Sequence, residues 1–399
     1  MTADLERHFE ERYGSRPTHV VRAPGRVNLI GEHIDFAGLP VLPMALQREV
    51  RIAFRPREDG LILAASRDSS FAPCHFELGA SIEPYEEGDW GNYLKAAAQG
   101  MALAYGVDRG CDALVESSVP VAAGLSSSSA LVIGTAVALA AANHRTIDPL
   151  ELAARMADAE RYVGTRGGGM DHAIIAGARA GCAARVDFDP LRLEPVPIPP
   201  DWRFLVADSL VQAHKSGGAR AGYNRRRVET DRALGAVVAR LGLAARDVRS
   251  YRDLLERVPG PESLAAAAFL PADLLKRFRH VVTEAARVVG AEVTLRADSP
   301  VGFGMLMNGS HASLAEDYEV SIPELDDLVR IARDAGAFGA RVTGAGMGGC
   351  IVALCSAGTV DDVRQAMDDR YYAARGPKAG PFDRLFVAEP APGASVART

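Results

Sequence analysis

The chain has 399 residues, 48% of them apolar, enough for a sizeable core and for two domains rather than one. Its 51 acidic and 45 basic residues give a formal charge of −6, which excludes an overall positive field for nucleic acid or anionic lipid. Only four lysines occur (Lys95, Lys215, Lys276, Lys378), so arginine carries nearly all the positive charge and basic groups must act locally. The cysteines, Cys74, Cys111, Cys182, Cys350 and Cys355, are odd in number and form no CxxC pair, the pattern of buried thiols in a reducing compartment. The longest apolar stretch, ALVIGTAVALAAA at 130 to 142, falls short of the roughly 20 residues that span a bilayer. A soluble, cytoplasmic protein is expected.

The opening MTADLERHFEERYG reads as an amphipathic helix, not a signal segment. VVRA at 20 to 23 and VLPMALQREVRIAF at 41 to 54 read as strands around a loop holding NLIGEHIDFAG, and GLILAA from 60 as a short strand. Asp89 caps a helix from Trp90 to about Tyr105, and CDALVES at 111 to 117 follows as a strand. PVAAGLSSSS then feeds the apolar helix, which must be buried because it is hydrophobic on every side. DPLE at 148 to 151 combines a cap aspartate, a first-turn proline and an acid at N3, predicting a helix to about Val163. Strands are expected near 182 to 188 and 202 to 208, with the proline-rich LEPVPIPPD between them as a domain boundary. Beyond it, helices are predicted at about 219 to 241, 271 to 290 and 324 to 335. Ser321 and Glu324 read as a capping box for the last of these and Gly336 as its stop. FGARVTGAGMGGCIVALC reads as strand, glycine loop, strand; a helix at 360 to 371 and a strand near 384 to 388 complete a small α+β sandwich.

Three glycine-rich loops carry the chemistry. GAGMGG at 344 to 349 satisfies G-x-G-x-x-G but runs on into a strand, whereas a dinucleotide fingerprint needs a helix there. No glycine–lysine pair exists, which excludes a Walker loop. In AAGLSSSSALV, Gly124 and Leu125 lead into Ser126, Ser127, Ser128 and Ser129 at the mouth of a helix. Backbone N–H groups and the positive end of the dipole suit phosphate there; the alternative is an ordinary N-cap with spare serines. Glu160 shares a helix face with Ala153 and Met156, and an acid so placed wants either an arginine partner or a metal. With one loop serine it meets the needs of Mg2+, which takes one or two carboxylates together with substrate phosphates and water.

The third loop, GTRGGGMDH, brings the backbone close behind Asp171. That acid is either a surface group or one aimed to take a proton during phosphoryl transfer. In GRVNLIGEHIDFAG, Arg26, Glu32, His33 and Asp35 form either a structural ion network or a set of hydrogen-bonding partners for sugar hydroxyls, with Arg26 steadying charge.

Taken together, RAPGRVNLIGEHIDFAG, PVAAGLSSSSALV, MNGSHASLAEDYEVSIPELD and ARVTGAGMGGC, in that order, resemble the motifs of galactokinases in the GHMP small-molecule kinase superfamily. The resemblance implies a two-domain α+β fold. Residues 1–200 would form an N-terminal domain like ribosomal protein S5 domain 2, residues 201–399 a C-terminal ferredoxin-like α/β sandwich, and the active site would lie in the cleft between them. It implies ATP and Mg2+, with Asp171 and Arg26 catalytic and Ser128 and Glu160 on the metal. Glu32, His33, Asp35, Gly168, Asp171 and Tyr223 would lie on the sugar, and Trp90 with residues 124–129 on the nucleotide. The implied partners are a hexose and ATP, with no nucleic acid or membrane; monomer and weak homodimer both stay open. Ile34-Asp35-Phe36, His172 and Ile322 depart from the commonest galactokinase pattern. LPMA at 42 to 45, the fourth serine and YVGTRGGGMD look more like the branch with N-acetylgalactosamine kinase. The small residues of SGGARAGYN at 216 to 224 are either room for a larger 2-substituent or simply a loop. D-Galactose is the expected acceptor, N-acetylgalactosamine the alternative, and a sugar- and ATP-sensing regulator the rival outside catalysis.

Overall fold

The computed structural model describes residues 2–164, 167–212, 218–375 and 384–399. Helix α1 (Thr2–Tyr13) precedes β1 (His19–Ile30), β2 (Leu42–Pro56), β3 (Leu61–Ser66) and β4 (Cys74–Glu77). Then come α2 (Gly91–Tyr105), β5 (Cys111–Ser117), α3 (Ser127–Ala142), α4 (Pro149–Ala159), α5 (Met170–Gly177) and the hairpin of β6 (Cys182–Asp187) and β7 (Arg192–Pro197). The second half runs β8 (Trp202–Asp208), α6 (Gly218–Arg240), α7 (Tyr251–Arg257), α8 (Gly260–Ala266), α9 (Ala272–Arg296), α10 (Pro300–Glu316) and α11 (Pro323–Asp334). It ends with β9 (Gly339–Thr343), β10 (Cys350–Ser356), α12 (Val360–Met367), β11 (Leu385–Ala388) and β12 (Ser395–Arg398).

Two sheets organise these elements, in strand orders β12-β1-β2-β5-β3-β4 and β11-β8-β10-β9, with β6 and β7 paired separately. All pairings are antiparallel except β3 with β5. Helix α3 packs against α2 and against β1 and β2, burying Leu139, Val132 and Ile133 completely. Each such residue contributes roughly 1.5–3 kcal/mol, and no polar stripe is left for solvent. Asp148 starts α4, its carboxylate accepting from Leu150 and Glu151 N.

Several local expectations need correction. Strand β1 runs through the signature to Ile30, because β2 continues to pair with it across two register shifts, at Pro24/Arg26 and Asn28/Ile30. At the first shift the Arg26 N–H donates instead to Leu125 O at 3.1 Å, tying the strand to the serine loop. The cap of α2 is Trp90, while Asp89 Oδ1 accepts from Gly91 N. Residues 192–197 form β7, despite their prolines, as the outer partner of β6; a two-stranded hairpin tolerates the missing donors. Pro323 occupies the first turn of α11 with Ile322 as cap, so Ser321 donates to Asp326 and no capping box forms with Glu324. Helices α5, α7, α8 and α10 and strands β4 and β12 add to the predicted set.

Candidate active site

One cleft of about 1040 Å³, counting its open mouth, gathers the loops, a size that suits small molecules. Arg26, Glu32, His33, Asp35, Gly124, Ser129, Glu160, Gly168, Asp171 and Tyr223 all border it, as do His172 and Gly344 to Met347.

Asp171, in the first turn of α5, is gripped from two directions. Arg26 Nε donates to Oδ1 at 2.8 Å, and the Ser126 hydroxyl donates to Oδ2. Arg26 also donates through Nη1 to Gly124 O at 2.6 Å. Ser126 therefore does not cap α3 with its side chain, and it holds a left-handed φ of 59°. Strain of this kind, of order 1–3 kcal/mol, collects at functional sites. Ser129, three residues on and so on the same helix face, donates to Glu160 Oε2 at 3.1 Å. Ser128, expected on the metal, is half-buried on the same turn. Ser127 begins the helix, and Leu125 is buried behind it.

Asp35 accepts from Phe36 N at 2.9 Å and from Gly168 N at 3.1 Å. Burial and then the charge of Asp171 push its carboxyl above the usual range. Glu32, buried, accepts from Asn28 Nδ2 and Gly344 N, and burial pushes its carboxyl up as well. His33 lies between the rings of Tyr223 (5.6 Å) and Tyr318 (4.6 Å). Burial lowers it to about 3, so it is neutral at pH 7, and its Nε2 lacks a hydrogen-bond partner among the described residues. Burial likewise keeps the Tyr223 phenol protonated. The arrangement offers carboxylates to accept from hydroxyl groups, a neutral imidazole beside them, and a helix mouth suited to anions.

Trp90 does not border this cleft; its Nε1 donates to Ala72 O at 2.7 Å and its ring lies 6.0 Å from Phe71. Residues 216 and 217 of the small-residue stretch, and the side chains of 218 to 221, lie outside the described residues. Missed from sequence was Gly344 as a donor to Glu32; that one of the four loop serines meets Glu160 was read, but not which one.

Comparison with known proteins bears on the family and the fold. Residues 7–56 match the galactokinase galactose-binding signature, 92–178 the GHMP kinase N-terminal domain and 291–373 the GHMP kinase C-terminal model. The chain is 38% identical to a galactokinase of Roseiflexus sp. over 380 residues, covering 94% of this chain and 93% of that one. It is 40% identical to a galactokinase of Chloroflexus aurantiacus over 381 residues, again 94% and 93%. The crystal structure of Lactococcus lactis galactokinase complexed with galactose superposes with a TM-score of 0.88 at 31% identity, covering 99% of each chain. With this likeness extending along nearly its whole length, the chain has the two-domain α+β fold of GHMP kinases and belongs to the galactokinase family.

Proposed function

We propose that this chain phosphorylates the anomeric hydroxyl of D-galactose with ATP, giving galactose 1-phosphate and ADP. Membership of the family supports ATP-dependent sugar phosphorylation of the galactokinase type; the proposal narrows the acceptor to galactose. The observation that carries it is Asp171, held by Arg26 and by Ser126 so that one carboxylate joins the sugar loop to the serine loop.

In this reading Glu32, His33, Asp35 and Tyr223 bind the sugar hydroxyls, with the Gly168 backbone close behind. The mouth of α3 binds the β and γ phosphates through backbone N–H groups and the helix dipole. Asp171 accepts the C1 hydroxyl proton as that oxygen bonds to the γ-phosphorus. The bond from the γ-phosphorus to the bridging oxygen breaks, ADP leaves with that oxygen, and Asp171 passes its proton to solvent. Arg26 orients Asp171 and steadies negative charge on the transferring group. Holding the two reactants supplies on the order of 7–11 kcal/mol, and a general base about 10²–10⁴-fold, so positioning dominates.

The residues present fit Mg2+. Glu160 is a buried acid beside the Ser129 hydroxyl, and no group of three His, Cys, Asp or Glu side chains that could hold a metal gathers among the described residues. A cation bound by Glu160 with Ser128 and Ser129 would be completed by substrate phosphates and water. When bound it neutralises phosphate charge.

The test is ADP release with a panel of free sugars, compared by kcat/KM. Galactose should give the highest value. A higher value for N-acetylgalactosamine would overturn the acceptor and leave the kinase. Sugar and ATP binding with no ADP release for any sugar would instead favour the sensing regulator.

A further inference from the structure

The GAGMGG loop borders the cleft with no room to retreat from it. A Cβ on Gly346 would stand 2.5 Å from Val320 O, and one on Gly349 2.8 Å from Ala123 O. Met347 N also donates to Val320 O at 2.7 Å. With the backbone so confined, this wall of the cleft is shaped by the side chains of Ala345 and Met347, which both border it. Met347 holds a left-handed φ of 59°, among glycines 344, 346, 348 and 349 whose φ is also positive. A side chain is unfavourable in that conformation, so glycine would be the easier residue there.

Helix α6 meets Met347 with a glycine of its own. A Cβ on Gly222 would lie 2.9 Å from Met347 Cε and 3.0 Å from Sδ, so the thioether fills the space that a side chain at 222 would take. Glycine within a helix is unfavourable relative to alanine, as is methionine at positive φ. Two locally unfavourable residues therefore meet at one contact, a coincidence expected where function shapes the chain. Tyr223, next along α6, borders the cleft with its ring 5.6 Å from that of His33. The contact thus stands at the edge of the pocket formed by the sugar loop.

We propose that Met347 sets the width of the hexose pocket. Its thioether closes the gap between the glycine loop and α6, so that an acceptor bearing a hydroxyl fits and one bearing an acetamido group in its place does not. The inference rests on the hexose reading of the cleft and names the side chain that limits the acceptor. Shortening residue 347 opens a recess floored by the Gly222 backbone and continuous with the cleft. Methionine suits the task because its unbranched chain fills irregular gaps, and one methylene in such a pocket changes discrimination roughly 10–200-fold.

ADP release and calorimetric binding, each with galactose and with N-acetylgalactosamine, test it on the full chain. In Met347→Ala and Met347→Gly the kcat/KM ratio of the acetamido sugar to galactose should rise at least about tenfold. Glycine accepts the left-handed φ without strain, so the second variant keeps the fold if the first does not. Gly222→Ala should do the reverse, pushing the methionine methyl into the cleft and raising the hexose KM about tenfold while the ATP KM holds. Adding Met347→Ala to it should restore the hexose KM, a rescue that general destabilisation would not give. An unchanged sugar ratio in both shortened variants, or a Gly222→Ala defect that Met347→Ala does not relieve, overturns the size limit and leaves the kinase reading standing. If the wild type binds hexose but releases no ADP with either sugar, the kinase reading falls, and the same ratio taken from binding constants decides the role of Met347.

Discussion

Asp171 has both carboxylate oxygens engaged by the protein itself, one by Arg26 and one by Ser126. Asp171→Asn puts an amide donor against one of those two donors and removes the proton acceptor. Turnover should fall at least about a hundredfold while nucleotide binding, measured separately by titration, is retained; near-full turnover would remove Asp171 from its role. Gly168 makes a different demand. A Cβ there would lie 2.3 Å from Phe36 N and 2.5 Å from Asp35 Cγ, so even alanine must push the sugar loop aside. Gly168→Ala should raise the KM for hexose far more than the KM for ATP, and equal rises in steady-state assays would refute this. Which residue types border the cleft was legible from the loops; which atoms pair was not. Which of the four loop serines hydrogen-bonds Glu160 depends on the rotation of α3 about its axis, which packing against α2 and the sheet decides.

The end of β1 and the turn after it are held from beneath by α9, α10 and β9. Glu284 of α9, fully buried, accepts from Gly31 N at 2.9 Å and from Ser310 Oγ at 2.6 Å. Arg341 of β9 donates to Asn28 O at 2.9 Å, and His280 donates to Glu32 O at 3.0 Å. Burial alone would raise the Glu284 carboxyl, but the charges of Arg287 and Arg341 overcome it and hold the group at about 2. Losing one partner of a buried charged set costs about 3–5 kcal/mol. Glu284→Gln should lower the unfolding free energy by an amount of that order and weaken hexose binding more than ATP binding. Urea denaturation and paired KM measurements check this; an unchanged hexose KM would mean that the layer supports the fold without shaping the site. None of this support could be read from periodicity. The glycines of PVGFGMLMNGS lower helix propensity, each by about 1 kcal/mol relative to alanine, and so concealed α10, which forms by packing on α9 and β9. Prolines concealed β7 in the same way, whereas α3, α4 and the pair β9–β10 were plain from apolar runs and caps.

Across the whole molecule, the alternation of strands and helices and the two-part plan were legible, but long-range closure was not. Strand β12 pairs with β1, as Ala397 with Val20, and its exposed SVAR sequence carries no apolar alternation to announce a strand. Acid sensitivity is also a property of the whole fold. Burial lowers His33 to about 3 and His280 to about 4, from an ordinary 6.5. Below pH 6.5 the unfolded chain takes up protons that these folded imidazoles refuse, so stability falls as pH drops until the folded values are reached. The loss per imidazole is about 1.4 kcal/mol per pH unit. His280→Gln should flatten the decline between pH 6.5 and 4.5 by about one proton, and denaturation curves with the wild-type slope would refute the assignment. Gly344, finally, touches both sides of the cleft. Its N–H meets Glu32, and a Cβ on it would lie 2.5 Å from Gly124 O of the serine loop. Any backbone movement at one loop is therefore transmitted to the other through a contact with no slack. By linkage, whatever factor an occupied helix mouth applies to hexose affinity, bound hexose must return to the nucleotide, so the two substrates cannot be strangers to each other.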